Sequence, residues 1–148
     1  MKNKNYQQTI TVDTPSNKVN RLINEVAWWK KNFTGSAEKI KDRFTVPFGD
    51  LNGEVSFVDF MVSELKPAEK VVWKVVDSNL PWFKDKKEWN GTEVVFDLKT
   101  IQNKTEITFT HIGLVPEIEC YEACQKGWDG HITKDLFNYI MQSAVPAE

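Results

Sequence analysis

The chain has 148 residues, a formal net charge of −2 and a sequence pI near 5.8, so it lacks the basic footprint of a nucleic-acid binder. That length predicts one domain over residues 1–148, and an aromatic content of 12%, with six Trp and nine Phe, predicts a bulky core or an aromatic-lined cavity. No run approaches the roughly 18 apolar residues of a spanning helix and the N-terminus has no apolar signal region, so the expectation is a soluble, cytoplasmic protein.

Tyr6 to Asp13 alternates Tyr6, Ile10 and Val12 with polar neighbours, the pattern of a strand with one buried face. Thr14-Pro15 then opens a helix, Thr14 as cap and Pro15 at its first position, with Val19, Leu22, Ile23 and Val26 as its apolar stripe. Ala27 to Phe33 reads as a second short helix. On a helix the adjacent Trp28 and Trp29 point about 100° apart, which puts one in the core and the other at an edge or mouth.

From Ser36 the period changes to that of strands. Ile40, Phe44, Val46 and Phe48 form one, closed by the Gly49 to Gly53 hairpin loop. Val55 to Glu64 is the next, followed by a turn at Lys66-Pro67-Ala68-Glu69 and a strand over Val71 to Val76. Ser78 to Trp89 has no periodicity and reads as a loop that folds its aromatics back or displays them. Thr92 to Leu98 and Thr105 to Ile112 are two further strands joined at Gln102-Asn103-Lys104, with Ile107, Phe109 and His111 on one face. After a Gly-Leu-Val-Pro turn, Trp128, Ile132, Leu136, Tyr139 and Ile140 repeat at helical spacing to the end of the chain.

The fold class is therefore α+β: a strand, two short helices, a curved antiparallel sheet of six or seven strands in all, and a long C-terminal helix packed across it. A sheet this long must curl, and a helix laid across a curled sheet leaves room for a pocket.

Several residues carry candidate chemistry. His111 points to the sheet interior, either as a buried histidine satisfied by a neighbour or as a polar contact for a ligand; an acid or base role needs a convergent set that the chain offers only as scattered carboxylates. Cys120 and Cys124 share a helix face, but even with His131 or Glu117 the spacing is not that of a structural zinc site, so packing or redox sensitivity remain. Glu117 and Glu119 suit the positive end of the last helix, or the mouth of a cavity. Gly127 suits a close approach of that helix to the sheet, or a helix start or kink. Trp82, Phe83, Lys84, Lys86 and Lys87 form a partner-surface candidate, with aromatic anchors and steering charges, against the plainer reading of a solvated loop.

Phe109-Thr110-His111, Gly113-Leu114, Pro116-Glu117, Glu119-Cys120-Tyr121, Cys124 and Gly127-Trp128 resemble the C-terminal signature of a bacterial single-domain branch of activator of heat-shock-protein-90 ATPase homologues. Trp28-Trp29, Phe48-Gly49-Asp50, Val72-Trp73, Glu88-Trp89 and Gly91-Thr92 extend the resemblance over nearly the whole chain, while Met141 to Glu148 lacks the Gly-rich tail of that branch. The resemblance implies the START-like (SRPBCC) helix-grip fold, which is similar to the birch-pollen allergen. It implies binding of apolar small molecules or lipids in the cavity between the sheet and the last helix, and the leading expectation is a monomeric, non-enzymatic binder of a small apolar or amphipathic ligand held there, with no cofactor and no metal. Cavity candidates are Trp73, Phe109, His111, Tyr121, Cys124, Trp128 and Ile132. The alternatives are a chaperone-interaction module that stimulates a heat-shock-protein-90-type ATPase, and a cyclase- or hydrolase-like enzyme.

Overall fold

The structure is a computed structural model that describes residues 5–26, 28–29, 33–51, 53–81, 84, 87, 89–113 and 121–144, with backbone only at 49–51, 121–124 and 143–144. The elements are β1 (Tyr6–Val12), α1 (Ser16–Ile23), β2 (Thr34–Gly35), β3 (Arg43–Leu51), β4 (Glu54–Lys66), β5 (Lys70–Asn79), β6 (Glu93–Ile101), β7 (Lys104–Ile112), α2 (Tyr121–Gly130), a π-helical segment (His131–Leu136) and α3 (Phe137–Ala144). The strands form one antiparallel sheet in the order β1-β7-β6-β5-β4-β3-β2. β1 leaves chain order to pair with β7, Tyr6 opposite His111 and Val12 opposite Thr105. Register shifts at Pro47/Gly49, Asp59/Phe60 and Val62/Glu64 bend β3 and β4, the physical means by which the sheet curls.

Alternation sets the inner face. Phe60 and Val62, Trp73 and Val75, Val94 and Phe96, and Ile107 and Phe109 are all fully buried against the helices. The last helical segment meets them with Trp128, Ile132, Leu136 and Ile140. These four are spaced by four residues, and in an α-helix each such step drifts about 40° around the axis. The π-helical segment lies in the middle of the series, and its longer hydrogen-bonded turns offset that drift, keeping all four on the sheet side. Thr133 donates its hydroxyl to the Asp129 carbonyl at this point, satisfying a backbone acceptor locally.

Four expectations change. The strand predicted from Ile40 begins at Arg43, because the Asp42 carboxylate accepts from Ser36 Oγ (2.8 Å) and from the Glu38 (3.1 Å) and Lys39 (3.0 Å) amides, closing a turn that leaves Ile40 exposed. Those bonds, led by Ser36, hold the Asp42 carboxyl below its usual pKa. Thr14 does not cap α1: Pro15 takes the cap position, Thr14 Oγ1 has no partner among the described residues, and the Thr14 carbonyl accepts from Thr105 Oγ1 at 2.6 Å. Ser16 Oγ bonds Thr105 Oγ1 (3.0 Å) and Thr100 Oγ1 (2.7 Å), so a hydroxyl cluster fastens the start of α1 to β6 and β7.

Trp28 and Trp29 sit in a turn and are both buried, their rings stacked with centroids 6.2 Å apart; residues 27 and 30–32 of the expected second helix lie outside the described residues. The divergence of about 100° applies only on a helix. Here Val26, at φ +61°, redirects the chain, and Trp28 Nε1 donates to the Ile23 carbonyl at 2.9 Å. Gly127, finally, is exposed on α2 with nothing among the described residues within 4 Å of a Cβ built on it, so no close approach to the described sheet requires glycine there; the helix runs through it without a start.

Candidate functional site

Beneath α2 and the π-helical segment, the structure brings together Trp73, Phe109, His111, Trp128 and Ile132, each at most 2% exposed. The aromatic rings pack in contact, Trp73 reaching Phe109 through Phe96. The Phe109 and Trp128 centroids are 4.5 Å apart, Trp89 meets His111 edge-on at 4.7 Å, and Trp29 lies 4.9 Å from Trp128. Trp73 crosses Phe44 and Phe96 in T-shaped pairs, each at 4.9 Å. Of the other predicted cavity residues, Tyr121 and Cys124 are placed on α2, but their side chains lie outside the described ones.

His111 is bonded at both nitrogens. Trp128 Nε1, which can only donate, reaches His111 Nδ1 at 3.0 Å, so Nδ1 accepts and the ring proton of the neutral imidazole belongs on Nε2. Nε2–H then donates to Thr92 Oγ1 at 2.9 Å, and the Thr92 hydroxyl donates to the Trp89 carbonyl at 2.7 Å. Burial lowers the His111 pKa from 6.5 to about 3, keeping the ring neutral in the state this relay requires. A neutral imidazole with both nitrogens engaged is a satisfied core group.

Of the remaining predicted groups, His131, Lys84 and Lys87 are among the described residues. His131 lies near Trp29 and Trp128 and pairs with Asp135, Nδ1 to Oδ2 at 3.0 Å. Glu117, Glu119 and Cys120 lie outside the described residues, as do Trp82, Phe83 and Lys86. Lys84 is exposed, and exposed Lys87 donates to Asp77 Oδ1 at 2.9 Å and to the Ser78 carbonyl at 3.1 Å. No group of three or more His, Cys, Asp or Glu could hold a metal ion among the described residues, and none of their helices is long and apolar enough to cross a membrane.

A concave site lies elsewhere. A groove of about 610 Å³ separates the last turn of α1 from the β2 side of the sheet, walled by Asn20, Asn24, Phe33, Ala37, Leu65 and Pro67. Arg21, Glu25 and Glu38 stand at its rim, all exposed. Tyr139 donates its hydroxyl to Glu25 Oε1, tying α3 to this rim; burial, then that bond, pushes the Tyr139 pKa up to about 12. In two of the wall residues one amide atom, Asn20 Nδ2 and Asn24 Oδ1, is buried and has no hydrogen-bond partner among the described residues. Each such atom costs about 1–3 kcal/mol relative to a paired one. Sequence patterning assigns both amides simply to the polar side of α1; their i, i+4 spacing, which stacks them on one face, is the only signal of a shared site.

No protein-family model and no curated protein matches the sequence. Solved structures do match over nearly the full chain. The Aha1 dimer from Colwellia psychrerythraea is 23% identical with a TM-score of 0.71, covering 95% of this chain and 98% of its own. Protein MLL2253 from Mesorhizobium loti is 15% identical with a TM-score of 0.68, covering 94% and 99%. Mll3558 from Rhizobium loti is 11% identical with a TM-score of 0.70, covering 90% and 94%. With its curled seven-stranded antiparallel sheet closed by β1 and crossed by a C-terminal helical segment, the chain has the helix-grip fold.

Proposed function

We propose that the protein is a non-enzymatic binder of a small amphipathic molecule, and that the molecule lies in the groove beside α1. The groove carries this reading. Its volume of about 610 Å³ is in the range of small-molecule sites, roughly 300–1,000 Å³, and its walls combine apolar surface with a few polar groups. The groove lies apart from the aromatic cluster around His111 and Trp128, whose residues do not line it. Covering roughly 300 Å² of ligand apolar surface contributes on the order of 7 kcal/mol before association costs, enough for useful affinity without covalent chemistry. The test is a screen of small apolar and amphipathic compounds by amide chemical-shift perturbation. Shifts at Phe33, Ala37 and Leu65 are expected, and a screen in which no compound moves them rejects the reading.

A second reading, contact with a heat-shock-protein-90-type chaperone, is favoured by the likeness to the Colwellia Aha1 structure. Of the surface assigned to it from sequence, Lys84 and Lys87 are exposed. Co-purification with the chaperone and a raised ATPase rate are its expected results; an unchanged rate without co-purification removes it.

A further inference from the structure

We infer that the groove beside α1 selects a cationic head group, an ammonium type, carried on a short apolar arm. This deepens the groove reading above and rests on it. The observation behind it is the distribution of charge around the opening. Glu25, just past the end of α1, and Glu38, in the turn after β2, each bring an exposed carboxylate to the rim, against the single guanidinium of Arg21. Among the described residues no lysine, arginine or histidine lies within ion-pair distance of either carboxylate, and the Tyr139 hydroxyl that donates to Glu25 is neutral. The lysines that border the walls in sequence are matched elsewhere: Lys66 pairs with Glu64 at 3.5 Å, and Lys39 lies beside Asp42. Two carboxylates against one guanidinium leave the rim with an excess of negative charge.

Two further features act in the same direction. Asn20, Arg21, Asn24 and Glu25 put the groove at the C-terminal end of α1, where the helix dipole favours cations. Phe33 adds an aromatic ring to the wall, held edge to face by Phe44 at 6.4 Å, and such a ring attracts a cation within about 6 Å of its face and offers an anion nothing. An ammonium therefore gains from both carboxylates, the helix end and the ring, and is opposed by Arg21 alone; a carboxylate has only Arg21 in its favour. Ala37, Leu65 and Pro67 offer apolar surface for the arm. The buried Asn20 Nδ2 and Asn24 Oδ1 are closed to the groove and take no part in this recognition.

Three probes with the same arm, octylammonium, octanoate and octan-1-ol, are titrated into the full chain at neutral pH, at low salt and at about 0.5 M salt, while backbone amide signals are followed. Octylammonium is expected to shift Phe33, Ala37 and Leu65 and to bind about threefold to tenfold more tightly than octanoate at low salt, the margin closing at high salt while octan-1-ol binding does not weaken. The double variant Glu25→Gln with Glu38→Gln is expected to lower octylammonium affinity about threefold to tenfold and to leave octan-1-ol unchanged, whereas Arg21→Gln is expected to raise it about twofold to threefold. Octanoate binding as tightly as octylammonium, unchanged octylammonium binding in the folded double variant, or weaker binding in Arg21→Gln overturns the head-group assignment and leaves the groove standing. If none of the probes moves a groove signal, the assignment is overturned; if the broader screen above is also silent, the groove reading falls with it. The amide spectrum reports whether each variant folds, and the comparison of probes on the unsubstituted chain decides the question without them.

Discussion

The indole N–H of Trp128 points at Nδ1 of His111 across 3.0 Å, linking the last helical segment to strand β7 by a bond between two fully enclosed side chains. Because indole can only donate, this contact sets the histidine tautomer and, through Nε2, the direction of the whole relay to Thr92 and Trp89. Removing the donor tests its contribution. Trp128→Phe keeps an aromatic ring but leaves Nδ1 buried without a partner, and is expected to cost about 1–3 kcal/mol for the unpaired acceptor, with a further loss for the smaller ring. Urea denaturation checks it; an unchanged midpoint would show that the bond contributes nothing.

The same histidine predicts a pH dependence. Its folded-state pKa, about 3, lies below the unfolded value near 6.5, so between these limits the unfolded chain binds a proton that the folded chain refuses. Stability is therefore full above pH 6.5 and declines as pH falls towards 3, by at most about 1.4 kcal/mol per pH unit. Asp42 and Asp77, both held below their usual pKa and so losing their contribution on protonation, act further down, from about pH 4–5. The interval from pH 6.5 to 5 thus isolates His111, and the slope there is expected to flatten in His111→Gln even though that variant starts from lower stability.

Gly113 guards the relay from the other side. It has φ +105°, and a Cβ built on it comes within 2.6 Å of Thr92 Cγ2. Gly113→Ala must strain the backbone and displace the residue that accepts from His111, a loss of about 1–3 kcal/mol. Gly53→Ala is the control: its φ of +83° is also unfavourable, but the added methyl meets nothing, so its cost should be the smaller of the two by thermal melting.

Gly127 predicts the opposite sign. Exposed in the middle of α2 with open space at its Cβ position, it should accept alanine with a gain of about 0.5–1 kcal/mol from reduced backbone entropy of the unfolded chain. A raised melting temperature in Gly127→Ala confirms that no close helix-to-sheet contact requires glycine there, whereas a drop would restore that role.

Tyr139→Phe tests the tie between α3 and the groove rim. Loss of the bond to Glu25 should cost about 0.5–1.5 kcal/mol at neutral pH. With the folded pKa raised to about 12 from 10.0, the unsubstituted protein keeps its tyrosine contribution below pH 10 and loses it as pH rises to 12; the variant should show no such component in alkaline denaturation.

The sheet was legible because two-residue alternation is local: Ile107, Phe109 and His111 declare their common face within five positions, and the structure buries all three. The Trp28-Trp29 pair was misread because the geometry of neighbouring side chains depends on whether the backbone is a helix or a turn, and left-handed Val26 makes it a turn. Ile40 was misplaced for a related reason. Its spacing fits a strand, but Asp42 gathers the preceding amides into a turn, and three hydrogen bonds outweigh one apolar side chain left in water.

By itself the sequence determined the antiparallel strands, the amphipathic C-terminal segment and the aromatic interior, because hydrophobic period and turn chemistry act over a few residues. Only the tertiary structure decided that the segment contains a π-helical stretch, which a four-residue repeat needs to remain on one face. Only it decided that His111 is closed by Trp128 and Thr92, groups 17 and 19 residues away along the chain. The groove is the clearest case. Asn20 and Asn24 look like ordinary surface amides until folding brings Phe33, Leu65 and Pro67 opposite them, since burial without a partner is a property of the packed molecule and not of the residues.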